Sequence, residues 1–323
     1  MHITSLHRYA VKGLSGDSIE SVTLQEGDGT FEDDRRFALM YVNSSGDDDF
    51  DEDNPQWLHK DNFLCAFTAP ELLATLRTEY KVDYIDGRRL LTVWNRNEKA
   101  ESSSTPLLLA DLACQAGRDE TSNFFSELCG KKVVCVCAND SGKHTHQFGN
   151  TSSGVKNNNG DTRTIHIVNS NTVKQLSDVI QRELQQQYKE DVDGYENNNG
   201  LDSIQLNPTR FRPNVVVDGL HPWSEFDLIG KTIEVIPNQG NGGDETQTTP
   251  VRFRITSRTV RCAGIGVDPL QPELKTLDIP KLLTKHFPQH GPYLGVYAVL
   301  DQELGSNCGE ICVGDTFRVV DWR

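Results

Sequence analysis

The chain has 323 residues, 36% of them hydrophobic and 24% charged, which suits one large or two ordinary domains with buried cores and excludes a disordered chain. Its 47 acidic residues outnumber 32 basic ones, for a formal net charge of -15, a field that excludes general binding to nucleic-acid backbones. No stretch approaches the roughly 20 apolar residues that a membrane-spanning helix needs, the start shows no secretory pattern, and eight scattered cysteines in a chain of this size point to a reducing, cytoplasmic setting.

In chain order, short runs rich in β-branched and aromatic residues predict strands at 3–11, 36–42, 81–85, 90–94 and 132–137 in the first half. The second half adds 164–168, 214–218, 232–236, 252–255 and 293–300. Three segments predict helices. Pro70 opens 71–77 as a first-turn proline, and 121–129 runs up to Gly130, a helix stop. The clearest helix is 172–188, where Val173, Leu176, Ile180, Leu184 and Tyr188 recur at spacings of three and four; Ser170 or Asn171 would cap it. Helices thus interrupt a mainly β chain without βαβ alternation, an α+β class that favours barrels or sandwiches. Polar stretches at 43–55, 138–162, 189–208 and 237–250 predict surface loops, the first carrying the acidic run from Asp47 to Asp53. The main boundary is placed near residue 150, giving parts 1–150 and 151–323.

The chemistry concentrates in a few places. Arg261-Cys262 is followed by Ala263, Gly264, Ile265 and Gly266: an adjacent cation favours thiolate, and the glycines admit a bulky ligand. Alone, such a cysteine is more often a small core residue. Arg210 and Arg212, one residue apart before an apolar run, can present two guanidinium forks to one phosphate, although strand-end arginines are as often merely exposed. Cys135, Cys137, His144 and His146 offer the residue types of a zinc site, but not its usual spacing. Asp268, in an Asp-Pro pair, is either an acid near the cysteine or a turn former.

Taken together, the motifs resemble MOSC-domain proteins, specifically those in which an N-terminal β-barrel domain precedes a C-terminal MOSC β-barrel domain. The first part carries the resemblance in Tyr9-Ala10-Val11-Lys12-Gly13 and in Asp34-Arg35-Arg36-Phe37. The second carries it in Phe211-Arg212-Pro213-Asn214, in Asp227-Leu228-Ile229-Gly230, in Arg261-Cys262 with Val267-Asp268-Pro269, and in the closing strands. The nearest functional relatives implied are the mitochondrial amidoxime-reducing components and bacterial reductases of N-hydroxylated bases.

The resemblance implies a molybdenum–molybdopterin cofactor, with Cys262 as both metal ligand and catalytic residue. It implies that Lys12, Arg35 and Arg212 hold the pterin, joined by Asn214 and Arg261, with Asn169 and Ser170 at the start of the long helix as further contacts. A helix start offers free amides to a phosphate. Pyridoxal phosphate, also associated with the family, is not expected. The implied reaction is reduction of a small N-hydroxylated substrate by oxygen transfer to molybdenum. Electrons are expected from a separate protein of haem or flavin/iron–sulfur type, because the chain is expected to lack both a membrane anchor and an appended iron–sulfur domain. The alternative is a non-redox MOSC protein carrying sulfur as a persulfide on Cys262.

Overall fold

The computed structural model describes residues 1–24, 30–42, 60–96, 105–138, 164–191, 205–238, 250–268, 276–301 and 309–320. The polar stretches expected as loops lie almost wholly outside these residues, as does position 150.

Seven strands close into a barrel. They are β1 (His2–Arg8), β9 (Ile165–Asn169), β10 (Val215–Asp218), β11 (Thr232–Ile236), β12 (Arg252–Val260), β13 (Tyr293–Leu300) and β15 (Thr316–Val320). Around the ring the order is β10-β9-β13-β12-β11-β15-β1, and pairing of β1 with β10 closes it. Every contact is antiparallel except β9 on β10, where Val215 faces Ile167 and Val217 faces Asn169. Closure removes the exposed strand edges that an open sheet would leave. The apolar side chains that alternate inward build one core, with Ile3, Leu6, Ile165, Val215, Phe253, Val296 and Phe317 among its members. A mainly β, α+β fold is therefore what the chain adopts.

The first strand is a stave of this ring, although it precedes the other six by more than 150 residues. The next two strands follow it: β2 (Asp17–Ile19) pairs with β1, and β3 (Ser21–Leu24) pairs with β14 (Gly309–Cys312). Strands β1 and β3 thus pair with the second half of the chain, and β2 with β1, whereas Ala10, Val11 and Leu14 between β1 and β2 join the core of the first half.

The rest of the first half has its own core, on Phe37, Leu39, Tyr80, Leu91, Val93 and Phe125. It is built from the pair β4 (Phe37–Tyr41) with β8 (Val133–Cys137), and from the three-stranded sheet of β5 (Leu76–Asp83), β6 (Arg88–Asn95) and β7 (Leu108–Asp111). Among the described residues these two sheets do not close into a second ring. Helix α2 (Gln115–Cys129) lies on β7 and β8 and begins six residues before the expected 121. A Cβ at Gly117 would stand 2.0 Å from the Asp111 carbonyl oxygen, so only glycine lets the helix approach so closely.

Two helix expectations are corrected at their ends. The helix expected at 71–77 is α1 (Pro70–Ala74), because Leu76, Thr78 and Tyr80 already alternate inward as strand. The long helix is α3 (Ser170–Asp191), and its first turn is met by Asn169, whose Oδ1 accepts from the Asn171 amide at 3.1 Å. Neither Ser170 nor Asn171 has that role. A short fourth helix, α4 (Ile279–His286), had no counterpart in the strand-dominated pattern.

Candidate cofactor site

Strand β12 ends at Val260, and the next two residues part company. Arg261 turns into the core, only 8% exposed, while Cys262 emerges to the surface. The Arg261 guanidinium is spent inside. Its Nε donates to the Leu294 carbonyl at 2.9 Å and its Nη1 to the Phe211 carbonyl at 3.0 Å. Its Nη2 stands 2.5 Å from His166 Nε2. Burial and the Arg261 charge hold the His166 pKa well below its ordinary value, so the imidazole is neutral. A neutral ring has one donor and one acceptor; here Nε2 accepts from Arg261 and Nδ1 donates to the Arg212 carbonyl at 3.2 Å.

That Arg212 carbonyl also accepts from Arg35 Nη2 at 3.1 Å. Arg35 and Arg212 both have φ +53°, the left-handed region that costs a non-glycine residue roughly 1–2 kcal/mol. Hydrogen bonds hold each in place: the Arg35 amide donates to Tyr9 O at 2.7 Å, and the Arg212 amide to Thr209 O at 2.9 Å. The Tyr9 ring sits against both, its centroid 5.2 Å from Arg35 Cζ and 4.3 Å from Arg212 Cζ. Asp34 ion-pairs with Arg35 and accepts from the Tyr9 amide at 2.8 Å. The buried Tyr9 hydroxyl meets no hydrogen-bond partner, and burial pushes its pKa up.

Lys12 follows β1 and reaches the same place. Burial draws its pKa down to about 8; Cys65 opposes that shift, Arg35 and Arg212 add to it, and Cys262 opposes it again. The adjacent Gly13 has φ +90°, and a Cβ there would lie 2.5 Å from Cys65 Cα, so this turn and the Cys65 loop close on each other only through glycine.

These groups surround a cavity of about 280 Å³ whose wall includes Cys262, Lys12, Arg35, Lys60, Arg212 and Arg261. None of the described lining residues is Asp or Glu. In a protein with net charge -15, five cations on a described wall without a carboxylate, of which Arg35 is paired to Asp34 off that wall, make a local inversion of the field that attracts a small anion.

The MOSC-domain family model matches residues 154–318, half of the chain, and no curated protein matches it. The chain belongs to the MOSC-domain family. The domain type is also that of the C-terminal part of molybdenum-cofactor sulfurases. The matched segment contains His166, Arg212, Arg261 and Cys262. Lys12 and Arg35 of this MOSC protein lie outside it, and β1 carries Lys12 to the cavity.

Not every residue expected at the site is there. Asn214 is fully buried as a stitch: its Oδ1 accepts from the His166 amide at 3.0 Å and its Nδ2 donates to His7 O at 3.3 Å. It supports the cavity without lining it. Arg261 lines it with its donors already committed, so it braces the wall. Asn169 and Ser170 are not on this cavity's wall. Asn169 ends β9 and Ser170 opens α3, three and four residues beyond His166, on the order of 10 Å away at about 3.3 Å per strand residue. Asn169 Nδ2 donates to His221 O at 2.9 Å and to Glu225 Oε2 at 3.0 Å, and Ser170 Oγ donates to Asp218 Oδ1 at 2.8 Å.

The pair Arg210 and Arg212 is a correction. The two side chains have different partners. Arg210 grips the Cys262 loop, donating from Nε to Ile265 O at 2.8 Å, from Nη2 to Gly266 O, and from Nη1 to Asp268 Oδ2 at 2.9 Å. Asp268 is thereby the counter-ion of Arg210 and not a free acid. Of the zinc candidates, Cys135 is buried and its thiol pushed up to about 12 by burial, which disfavours the thiolate a metal needs; His144 and His146 lie outside the described residues. Sequence reasoning missed Lys60, Cys65, His166 and Tyr297, all on the cavity wall. Only His166, a titratable residue inside an apolar strand, carried a signal.

The donor set fits an anionic, sulfur-rich molybdenum cofactor. An exposed thiol suits a soft metal, and Lys12, Arg35 and Arg212 suit a pterin phosphate. Burial lowers the pKa of Lys12 to about 8 and that of Arg212 to about 10, and the nearby Arg35 adds to both shifts.

Proposed function

We propose that this MOSC protein is a molybdenum-cofactor-dependent oxidoreductase that reduces N-hydroxylated compounds. The observation that carries the reading is the exposed Cys262 thiol on the wall of a cavity with five cations and no described carboxylate. Cys262 is the protein's metal ligand and catalytic residue, while Lys12, Arg35 and Arg212 hold the anionic pterin and its phosphate. His166, Asn214 and Arg261 fix the backbone carbonyls and turns from which those cations project. Bound there, the cofactor supplies two-electron oxygen-atom chemistry. The tightly bonded wall keeps the three cations preorganised, so little ordering is needed on binding.

Reducing equivalents come from a separate haem or flavin/iron–sulfur protein. All seven described cysteines are free thiols, which supports a reducing, cytoplasmic setting. No described helix is long and apolar enough to cross a membrane.

Protein purified from a host that makes the cofactor should contain close to one molybdenum and one pterin per chain. Finding neither, under conditions that load another MOSC reductase, removes the proposal. A second reading, sulfur carriage as a persulfide, is favoured by Cys65, a second thiol on the same cavity wall. Cyanide-labile sulfur on metal-free protein, lost in Cys262→Ser, would select it.

A further inference from the structure

A second cavity, of about 340 Å³, adjoins the first. The two share Gly13, Ala66, Arg212 and Gly264, which form the partition between them. Its character differs. Leu14, Pro70, Leu73 and Ala74 give it an apolar body, and it has no thiol. Its charged lining is four arginines, Arg77, Arg96, Arg210 and Arg212, and no described lining residue is Asp or Glu.

Those arginines are not equivalent. Arg210 is committed to the Cys262 loop. Arg96 donates to the carbonyls of Ala74 and Leu76, each at 2.9 Å. Arg77 stacks on Trp94, its Cζ 4.1 Å from the ring, and its buried Nε has no hydrogen-bond partner. It forms no ion pair among the described residues, although Glu79 follows two positions later and Asp17 lines the open groove on its other side. The Arg77 Nη groups also form no hydrogen bond among the described residues, so a guanidinium braced by an indole is open to an acceptor from outside the chain.

We propose that this second cavity is the substrate's binding site, that Arg77 pairs with an acidic group on the substrate, and that the enzyme therefore prefers N-hydroxylated compounds bearing a carboxylate or similar anion. The inference rests on the reductase reading for the identity of the reacting group. The cofactor's ligand and two of its three cations, Lys12 and Arg35, line only the first cavity. The second, apolar and cationic, accommodates an apolar body that ends in an anion. A cationic compound meets four arginines there and is rejected.

The test compares benzamidoxime with 4-carboxybenzamidoxime on the full, purified protein, by calorimetric affinity and by KM. The expected result is at least about tenfold tighter binding of the carboxylated compound. Arg77→Met should bring the two affinities together, and Arg77→Lys, which keeps the charge but not the planar fork, should restore part of the difference. Equal affinities in the parent protein, or a preference that survives Arg77→Met, overturn the proposal. So does a fall in molybdenum content in Arg77→Met, which would assign this cavity to the cofactor. If Arg77→Met does not fold, Arg77→Lys decides, with an undiminished preference counting against the guanidinium. Molybdenum analysis of the same preparation separates the two claims: metal-free protein with an Arg77-dependent preference for the carboxylate rejects the reductase reading and keeps the acid subsite.

Discussion

The two ends of the paired strands β9 and β10 are built from similar residues and do opposite things. At one end His166, Arg212 and Asn214 cooperate so that cations face a cavity beside an exposed thiol. At the other, Asn169, Ser170 and Thr172 donate to the carboxylates of Glu225 and Asp218. Burial raises the Glu225 pKa, with Asn169 and Thr172 only partly opposing the shift. A polar residue becomes a binding residue where its donors are left over, and a structural one where the fold has already used them. The helix start at Ser170 looks like an anion site in sequence, but the acidic partners it acquires disfavour one.

This contrast can be broken first at the thiol. Cys262→Ser should lower reduction of an amidoxime by at least about a hundredfold, with molybdenum content falling and melting temperature almost unchanged, since the side chain is exposed. Retained activity would remove Cys262 from the mechanism. Next is the loop beneath it. Arg210→Ala removes the ion pair with Asp268, whose two side chains are both under 10% exposed, and breaking such a buried pair costs about 3–5 kcal/mol. Denaturant unfolding measures the loss, and a change within about 0.5 kcal/mol would show the pair to be unimportant.

Arg212→Ala should reduce cofactor occupancy by about tenfold, read as molybdenum per chain. Normal loading would count against it as a phosphate ligand. A smaller effect follows from pH. Lys12 is charged below about 8 and loses its charge as pH rises through that value, so cofactor affinity should fall severalfold between roughly pH 7 and 9, and Lys12→Met should flatten the profile. Stability moves the other way. Between about 8 and the ordinary 10.5 the unfolded chain keeps a proton that the folded one has released, so this residue's contribution to stability rises with pH across that window. Smallest of all, Ser170→Ala should leave metal content unchanged and cost about 0.5–1.5 kcal/mol for one lost hydrogen bond. A fall in metal content would return the helix start to the site.

Much of the strand pattern was legible, because alternation of apolar side chains follows from the pleat. The run at 232–236 is β11 to the residue. Partnership was not legible, since alternation says which face a side chain occupies and not which strand lies beside it. Hence β1 was assigned to the first part of the chain while it completes the ring of the second. The basic residues at the site were named by resemblance, but their roles depended on backbone turns. Arg210 is bound to the Cys262 loop while Arg212, in the left-handed region, lines the cavity, and Lys60 lies where no periodicity marked it.

The sequence by itself determined that this chain is a mainly β MOSC-family protein with Cys262 beside a cation, and it singled out Lys12, Arg35 and Arg212 as the pterin contacts that the resemblance implies. Composition, period and short motifs carry that much, because they are local properties. Only the tertiary structure decided that these four residues, up to 250 positions apart, share a cavity without a described carboxylate, that Arg261 is consumed as a brace, and that Asn169 and Ser170 belong to a different network. Such outcomes are set by which hydrogen-bond partners the closed barrel brings within reach, and those partners are distant in the chain.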